Sequence, residues 1–139
     1  MILSFNHPEL TTRTLQSARI SAKDSDILLV HNGSQPRFVM SLQSQFPDVQ
    51  HLVMETNRGY TGGTNVGLTQ AFADSEWVLF LTNDCQLLKF NPPSKNERPC
   101  LIAPQIFARK LDRIDSLGGV FEPLSGKLSH LKNPQELSA

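Results

Sequence analysis

Asn57-Arg58-Gly59-Tyr60-Thr61-Gly62-Gly63-Thr64-Asn65-Val66-Gly67-Leu68, with Trp77-Val78-Leu79-Phe80-Leu81-Thr82-Asn83-Asp84 downstream of it, decides the fold. The first stretch reads as a glycine-rich turn leading into a helix that starts near Gly63 and is marked by Leu68, Ala71 and Phe72. The second reads as an apolar strand, Trp77 to Leu81, that stops on a carboxylate. In open α/β sheets, ligands bind outside the carboxyl ends of the strands. An acid placed there is positioned to hold a metal, and a metal there to hold a diphosphate.

Upstream, the same alternation repeats. Met1-Ile2-Leu3-Ser4-Phe5 is a buried strand. Asn6-His7-Pro8-Glu9 turns the chain, with Pro8 suited to a helix start. Leu10, Thr14 or Leu15, Ala18 and Ala22 follow at helical spacing. Asp26 to Val30 is a second strand, ended by the turn formers His31-Asn32-Gly33-Ser34. Pro36 opens a helix with Phe38, Val39, Leu42 and Phe46 on one face, and Pro47-Asp48 breaks it. His51 to Met54 is a third strand. Strands alternating with helices, and strands apolar on both faces, predict a mostly parallel sheet covered on both sides.

Beyond Asp84 the pattern weakens. Asn91 to Pro99 is a polar, proline-rich loop. Cys100 to Ala103 predicts a short strand, Ile114 to Phe121 a strand with a bend, and Leu124 to Lys127 a hairpin turn. Asn133 to Ala139 is a polar tail. The expected boundaries are 1–122 for the α/β unit and 123–139 for an extension.

Composition excludes several classes. At 139 residues with 39% hydrophobic content, the chain is one domain or part of one, long enough to bury a core. A formal net charge of +0 gives no basic footprint for a nucleic acid. No run reaches the length a transmembrane helix needs, and Met1 to Phe5 is too short for a signal peptide. Cys85 and Cys100 have neither zinc-ribbon nor redox spacing, so two free thiols in a reducing cytoplasm are expected.

Each motif also has a plain structural explanation. Asn83-Asp84 is a good turn cap, yet Asp84 also offers the hard oxygen that Mg²⁺ or Mn²⁺ prefers. The glycines can serve helix packing, yet they also let backbone approach an anion at a helix start. The loop is neither the dinucleotide fingerprint nor a P-loop. His31-Asn32-Gly33-Ser34 can be an Asx-type turn or can bind a base or ribose. His7, His51 and His130 lack ligand spacing and read as structural. No nucleophile elbow is present.

Taken in order, strand-Ser4-Phe5-Asn6, strand-His31-Asn32-Gly33-Ser34, Asn57-x-Gly59-x-x-Gly62-Gly63-x-Asn65-x-Gly67 and Leu81-Thr82-Asn83-Asp84 resemble the family 2 glycosyltransferases of GT-A fold. The similarity runs from Met1 to about Phe121 and is strongest to the bacterial rhamnosyltransferase-like branch. It implies a Rossmann-like sheet, incomplete at the C-terminus. It also implies transfer of a sugar from a nucleotide-diphosphate donor, UDP- or dTDP-linked, to a hydroxyl with inversion. Phe5, Asn6, His31 and Asn32 would hold base or ribose. Asn57, Gly59, Gly63 and Asn65 would flank the diphosphate. Thr82-Asn83-Asp84 stands where the family has its D-x-D-like motif, so Asn83 would join the donor site and Asp84 would bind Mg²⁺ or Mn²⁺.

The chain departs from the family pattern at His31, where an Asp is usual, and in carrying one acid in the D-x-D position. The family's general base belongs to a later segment. Gly118 to Glu122 matches an earlier glycine-containing strand instead, so Glu122 is not assigned and the catalytic base is unknown. The expectation is therefore a donor-binding half whose uncovered apolar surface pairs with a second copy or a partner chain. The rival expectations are a non-catalytic module that binds a nucleotide sugar or a protein, and a nucleotidyltransferase. The latter would need a basic glycine-rich loop near the N-terminus, which is not there.

Overall fold

A computed structural model describes residues 1–91, 102, 104–108, 113–122 and 127–131. They fall in two compact units, Met1–Pro92 and Pro93–Ala139.

In the first unit, strand β1 (Ile2–Ser4), helix α1 (Pro8–Ser21), β2 (Leu28–Asn32), α2 (Pro36–Gln45), β3 (Gln50–Met54), α3 (Gly59–Asp74) and β4 (Leu81–Thr82) follow in turn. The strands form one parallel sheet in the order β3-β2-β1-β4. This is the expected α/β, Rossmann-like architecture. The chain winds from β1 to β3 in one direction, then α3 carries it back past β1 to β4. The strand order therefore reverses between β1 and β4, the kind of switch point at which such sheets bind ligands.

Two apolar layers sandwich the sheet. Ile2 and Leu29 pack with Leu15 and Ala18 of α1 and with Leu42, Phe46 and Val49. Leu3, Leu28 and Val30 face the other way, with Met54 and with Val66, Leu68 and Ala71 of α3. Successive strand residues point to opposite faces, so β1 and β2 feed both layers. On α1, Arg19 pairs with Asp48 and lies over the Phe46 ring, 4.7 Å from its centroid.

Three sequence expectations change. The glycine stretch is not a loop before the helix: α3 begins at Gly59, with the glycines inside it. Their placement is steric. A Cβ at Gly63 would stand 2.8 Å from Asn32 Cγ and 2.9 Å from Leu3 Cδ1, and one at Gly67 2.7 Å from Val30 Cγ2. Four residues apart, they share the helix face that lies on the sheet. Next, His31 and Asn32 belong to β2 and not to the turn after it. His31 pairs in register with Ser4 and Val53, and Asn32 with Met54, so ladder bonds extend the strand past its apolar part. Finally, only Leu81 and Thr82 of the fourth strand pair with β1, although Val78 and Phe80 still pack on the α3-side core.

In the second unit, β5 (Ile106–Ala108) pairs antiparallel with β6 (Arg113–Ser116), and β7 (Gly119–Glu122) with β8 (Lys127–His130). The bend expected within 114–121 falls at Leu117-Gly118, where Gly118 has φ +124°. The expected hairpin exists, but its turn, 123–126, lies outside the described residues. So do Cys100, the 92–99 loop and the 133–139 tail. Ile102, the one described residue of the expected 100–103 strand, is not in a strand. Strand β5 was not anticipated.

Candidate functional site

All four strands of the sheet run the same way, so their carboxyl ends share one edge. The expected site residues lie on that edge or in the segment leaving it, except His31, which is buried within β2, and Gly63 and Asn65, which lie inside α3. Hydrogen bonds tie the loops there in pairs.

Between β1 and β2, Asn6 adopts φ +51°, a left-handed conformation that asparagine tolerates. Its amide donates to Ser34 Oγ (3.2 Å), and its Oδ1 accepts from the Gln35 amide (2.9 Å) at the start of α2. Phe5, next to it, is 41% exposed. Between β2 and β3, Asn32 acts as a clamp. Its Nδ2 donates to Asn57 Oδ1 (3.0 Å) and to the Gly59 carbonyl (2.9 Å), while its Oδ1 accepts from the Arg58 amide (3.0 Å). Asn57 Oδ1 also accepts from the Gly59 amide at 2.8 Å. Gly33 makes this approach possible, with φ +72° and room for no Cβ: one would stand 2.2 Å from the Asn57 nitrogen.

These bonds consume the first orphan donors of α3. A helix leaves its first four N–H groups without intrahelical partners. Here Asn32 takes the Arg58 amide and Asn57 takes the Gly59 amide. The amides of Tyr60 and Thr61 have no acceptor among the described residues. Both residues are exposed, so the helix start presents two donors and its positive dipole end to solvent.

At the end of β4, Asp84 is exposed, and its Oδ1 accepts from the Thr82 hydroxyl at 2.5 Å. Half-buried Asn83 donates through Nδ2 to Thr11 Oγ1 (3.2 Å), which also meets Ser4 Oγ at 2.7 Å. Cys85 is free and exposed, its sulfur 3.2 Å from Thr82 Oγ1. Among the described residues no group of three or more His, Cys, Asp or Glu forms a metal cage. One exposed carboxylate nonetheless matches how Mg²⁺ usually binds, through one or two carboxylates with substrate phosphates completing the shell. The donor set at Asp84 fits such an ion.

His31 and Asn65 stand apart from this group. His31 is fully buried in β2, on the face of α1 and α2. Its ring stacks on His51, centroids 5.2 Å apart, with Nε2 2.9 Å from His51 Nδ1. His51 Nε2 lies 3.1 Å from the Phe46 carbonyl, which can only accept. In the neutral pair, His51 carries its proton on Nε2, and His31 Nε2 donates to His51 Nδ1. That leaves His31 Nδ1 as a buried acceptor without a partner. Burial, reinforced by the neighbouring His51, pulls the His31 pKa from 6.5 down to about 4, so the ring is neutral at pH 7. Asn65 is exposed on α3, and its side chain makes no hydrogen bond to the strand-end loops.

The sequence reading missed the residues that brace the edge from beneath: Ser4, Thr11 and Thr14. Each reads as an ordinary hydroxyl. The available signal was a run of hydroxyl residues at three-residue spacing on one helix face.

No curated relative matches the sequence. Among the described residues no helix is long and apolar enough to cross a membrane. Residues 1–89, most of the chain and nearly all of the sheet-bearing unit, match the description Glycosyl transferase family 2. With its parallel sheet, its strand reversal between β1 and β4 and its acid at the end of β4, the chain belongs to glycosyl transferase family 2.

Proposed function

We propose that the chain binds a nucleotide-diphosphate sugar along the carboxyl edge of its sheet and serves its transfer, with inversion, to a hydroxyl acceptor. We read it as a rhamnosyltransferase-like member with a UDP- or dTDP-linked donor, working in the cytoplasm. The proposed donor-binding unit spans 1–122, beyond the matched residues. One observation carries the reading: Asp84, an exposed carboxylate, lies at the switch-point end of β4, on the edge where α3 presents two free amides.

Each residue then has a task. Asp84 would hold Mg²⁺ or Mn²⁺, which when bound would supply charge neutralisation for a diphosphate leaving group. The Tyr60 and Thr61 amides donate to phosphate oxygens. Phe5 offers a ring face to the base, and Asn6 holds the adjacent turn. Asn32 and Asn57 act by fixing the start of α3: the Asn32 amide is engaged with Asn57, Arg58 and Gly59, and Asn57 Oδ1 accepts from Asn32 and the Gly59 amide. Buried His31 fixes the end of β2 from within, and no proton transfer at pH 7 is assigned to it.

The test is calorimetric titration with UDP and with dTDP, with and without Mn²⁺, on the wild type and Asp84→Ala. Binding that strengthens with Mn²⁺ and loses that gain in Asp84→Ala is expected. No nucleotide binding under any condition would overturn the reading and leave a non-catalytic interaction module.

A further inference from the structure

Helix α1 carries a ladder of hydroxyls along one side: Thr11, Thr14, Ser17 and Ser21. Each reaches the segment that leaves β4. Thr11 Oγ1 accepts from Asn83 Nδ2 at 3.2 Å. Thr14 Oγ1 lies 2.9 Å from the Asn83 carbonyl and 2.6 Å from the Cys85 carbonyl. Ser17 Oγ accepts from the Leu87 amide at 3.0 Å, and Ser21 Oγ donates to the Leu87 carbonyl at 2.8 Å. Thr11 and Thr14 are fully buried.

Beyond the Asn83 amide, which still donates to the Leu3 carbonyl of β1 at 3.1 Å, the segment 83–87 leaves the sheet, so its polar backbone groups need partners elsewhere. The ladder supplies them at every second residue, 83, 85 and 87. Asp84 and Gln86, between the anchored positions, are exposed. A threonine or serine hydroxyl in a helix ordinarily bonds back to its own preceding turn. Thr14 has that option, with the Leu10 carbonyl 3.2 Å away, but its shorter contact is to Cys85.

We infer that the α1 hydroxyl ladder sets where Asp84 stands, making Thr14 and Ser17 positioning residues for the cation and diphosphate. This rests on the donor-site reading above. Groups that orient a metal ligand without touching the metal change affinity when removed, by roughly 10–100-fold. Thr14→Val keeps the shape and deletes the hydroxyl, leaving the Cys85 carbonyl, its shortest contact, without that donor. Ser17→Ala removes the acceptor for the Leu87 amide.

Two measurements test the inference on the full chain. Amide hydrogen exchange reports the order of the segment directly. In Thr14→Val and Ser17→Ala, exchange at residues 83–87 should rise roughly tenfold, the loss of about one hydrogen bond, while amides of β1 and β2 are unchanged. Calorimetry reports the consequence. The factor by which Mn²⁺ strengthens UDP binding should fall roughly tenfold or more in Thr14→Val, with metal-free UDP affinity little changed. Thr14→Ser should restore both.

Unchanged exchange at 83–87 would overturn the inference, and so would faster exchange with the full Mn²⁺ gain retained. If the wild type shows no Mn²⁺ gain, the donor-site reading falls. The exchange rates then still decide whether the ladder orders the segment. Should Thr14→Val not fold, Ser17→Ala carries both measurements.

Discussion

At the scale of single residues, burial and backbone angle decide more than residue type. Gly33 combines φ +72° with a Cβ position 2.2 Å from the Asn57 nitrogen, which belongs to backbone and cannot swing aside. Gly33→Ala should destabilise by at least about 2 kcal/mol, from the left-handed conformation and the overlap together. A lower urea midpoint with an unchanged slope would register it. His31 gives a pH dependence of known sign. Its folded pKa, about 4, lies below the ordinary 6.5, so the folded state refuses a proton that the unfolded chain accepts. Stability from this group is complete above pH 6.5 and is lost as pH falls to 4, by up to about 3 kcal/mol. Urea midpoints measured between pH 7 and 4 should follow that course, and His31→Leu should flatten it. The sequence could not reveal this. His31 sits among turn formers, and only the pairing of β2 on both sides draws it into the strand.

At the scale of elements, helix α3 follows packing against its own propensities. Glycine is a poor helix former by about 1 kcal/mol relative to alanine. Gly63→Ala recovers that amount but inserts a methyl 2.8 Å from Asn32 Cγ, in the clamp that organises the helix start. Overpacking costs about 1–3 kcal/mol, so the net effect should be destabilising. The Arg58 and Gly59 amides should lose protection in hydrogen exchange, which separates clamp damage from general loosening. The same competition explains why the helix start was misread. Glycines at 59, 62, 63 and 67 look like a loop, and nothing local says that a sheet lies close beneath them. By contrast the order of strands and helices was plain in the sequence, because continuous apolar runs separated by helical spacing leave few other arrangements. The α1 hydroxyl ladder was present as letters, but its meaning depends on which segment crosses the helix.

At the scale of the molecule, both apolar layers are built within residues 1–81. The unit Met1–Pro92 therefore holds its own core. A chain of residues 1–92 should unfold cooperatively, measurable by thermal melting. Failure to fold would mean that this core is insufficient alone. The expected acid at the end of β4 and the expected edge were legible because an apolar strand that ends on a carboxylate is a one-dimensional signal. The cross-bracing of the edge was not, since each bond joins residues far apart in the chain.

The Asn32 clamp also bears on how the protein ages. Asn32 is followed by glycine, the context in which an asparagine side chain is most readily attacked by the next backbone nitrogen and converted to aspartate or its isomer. In the fold that route is closed. The side chain is held by Asn57, Gly59 and Arg58, and the Gly33 nitrogen is engaged with the His31 carbonyl at 2.9 Å. An aspartate there has no N–H to give Asn57 or the Gly59 carbonyl, so a converted chain could not rebuild the clamp. Folded protein should thus keep its amide through storage, and every unfolding excursion exposes it to a change that refolding cannot reverse.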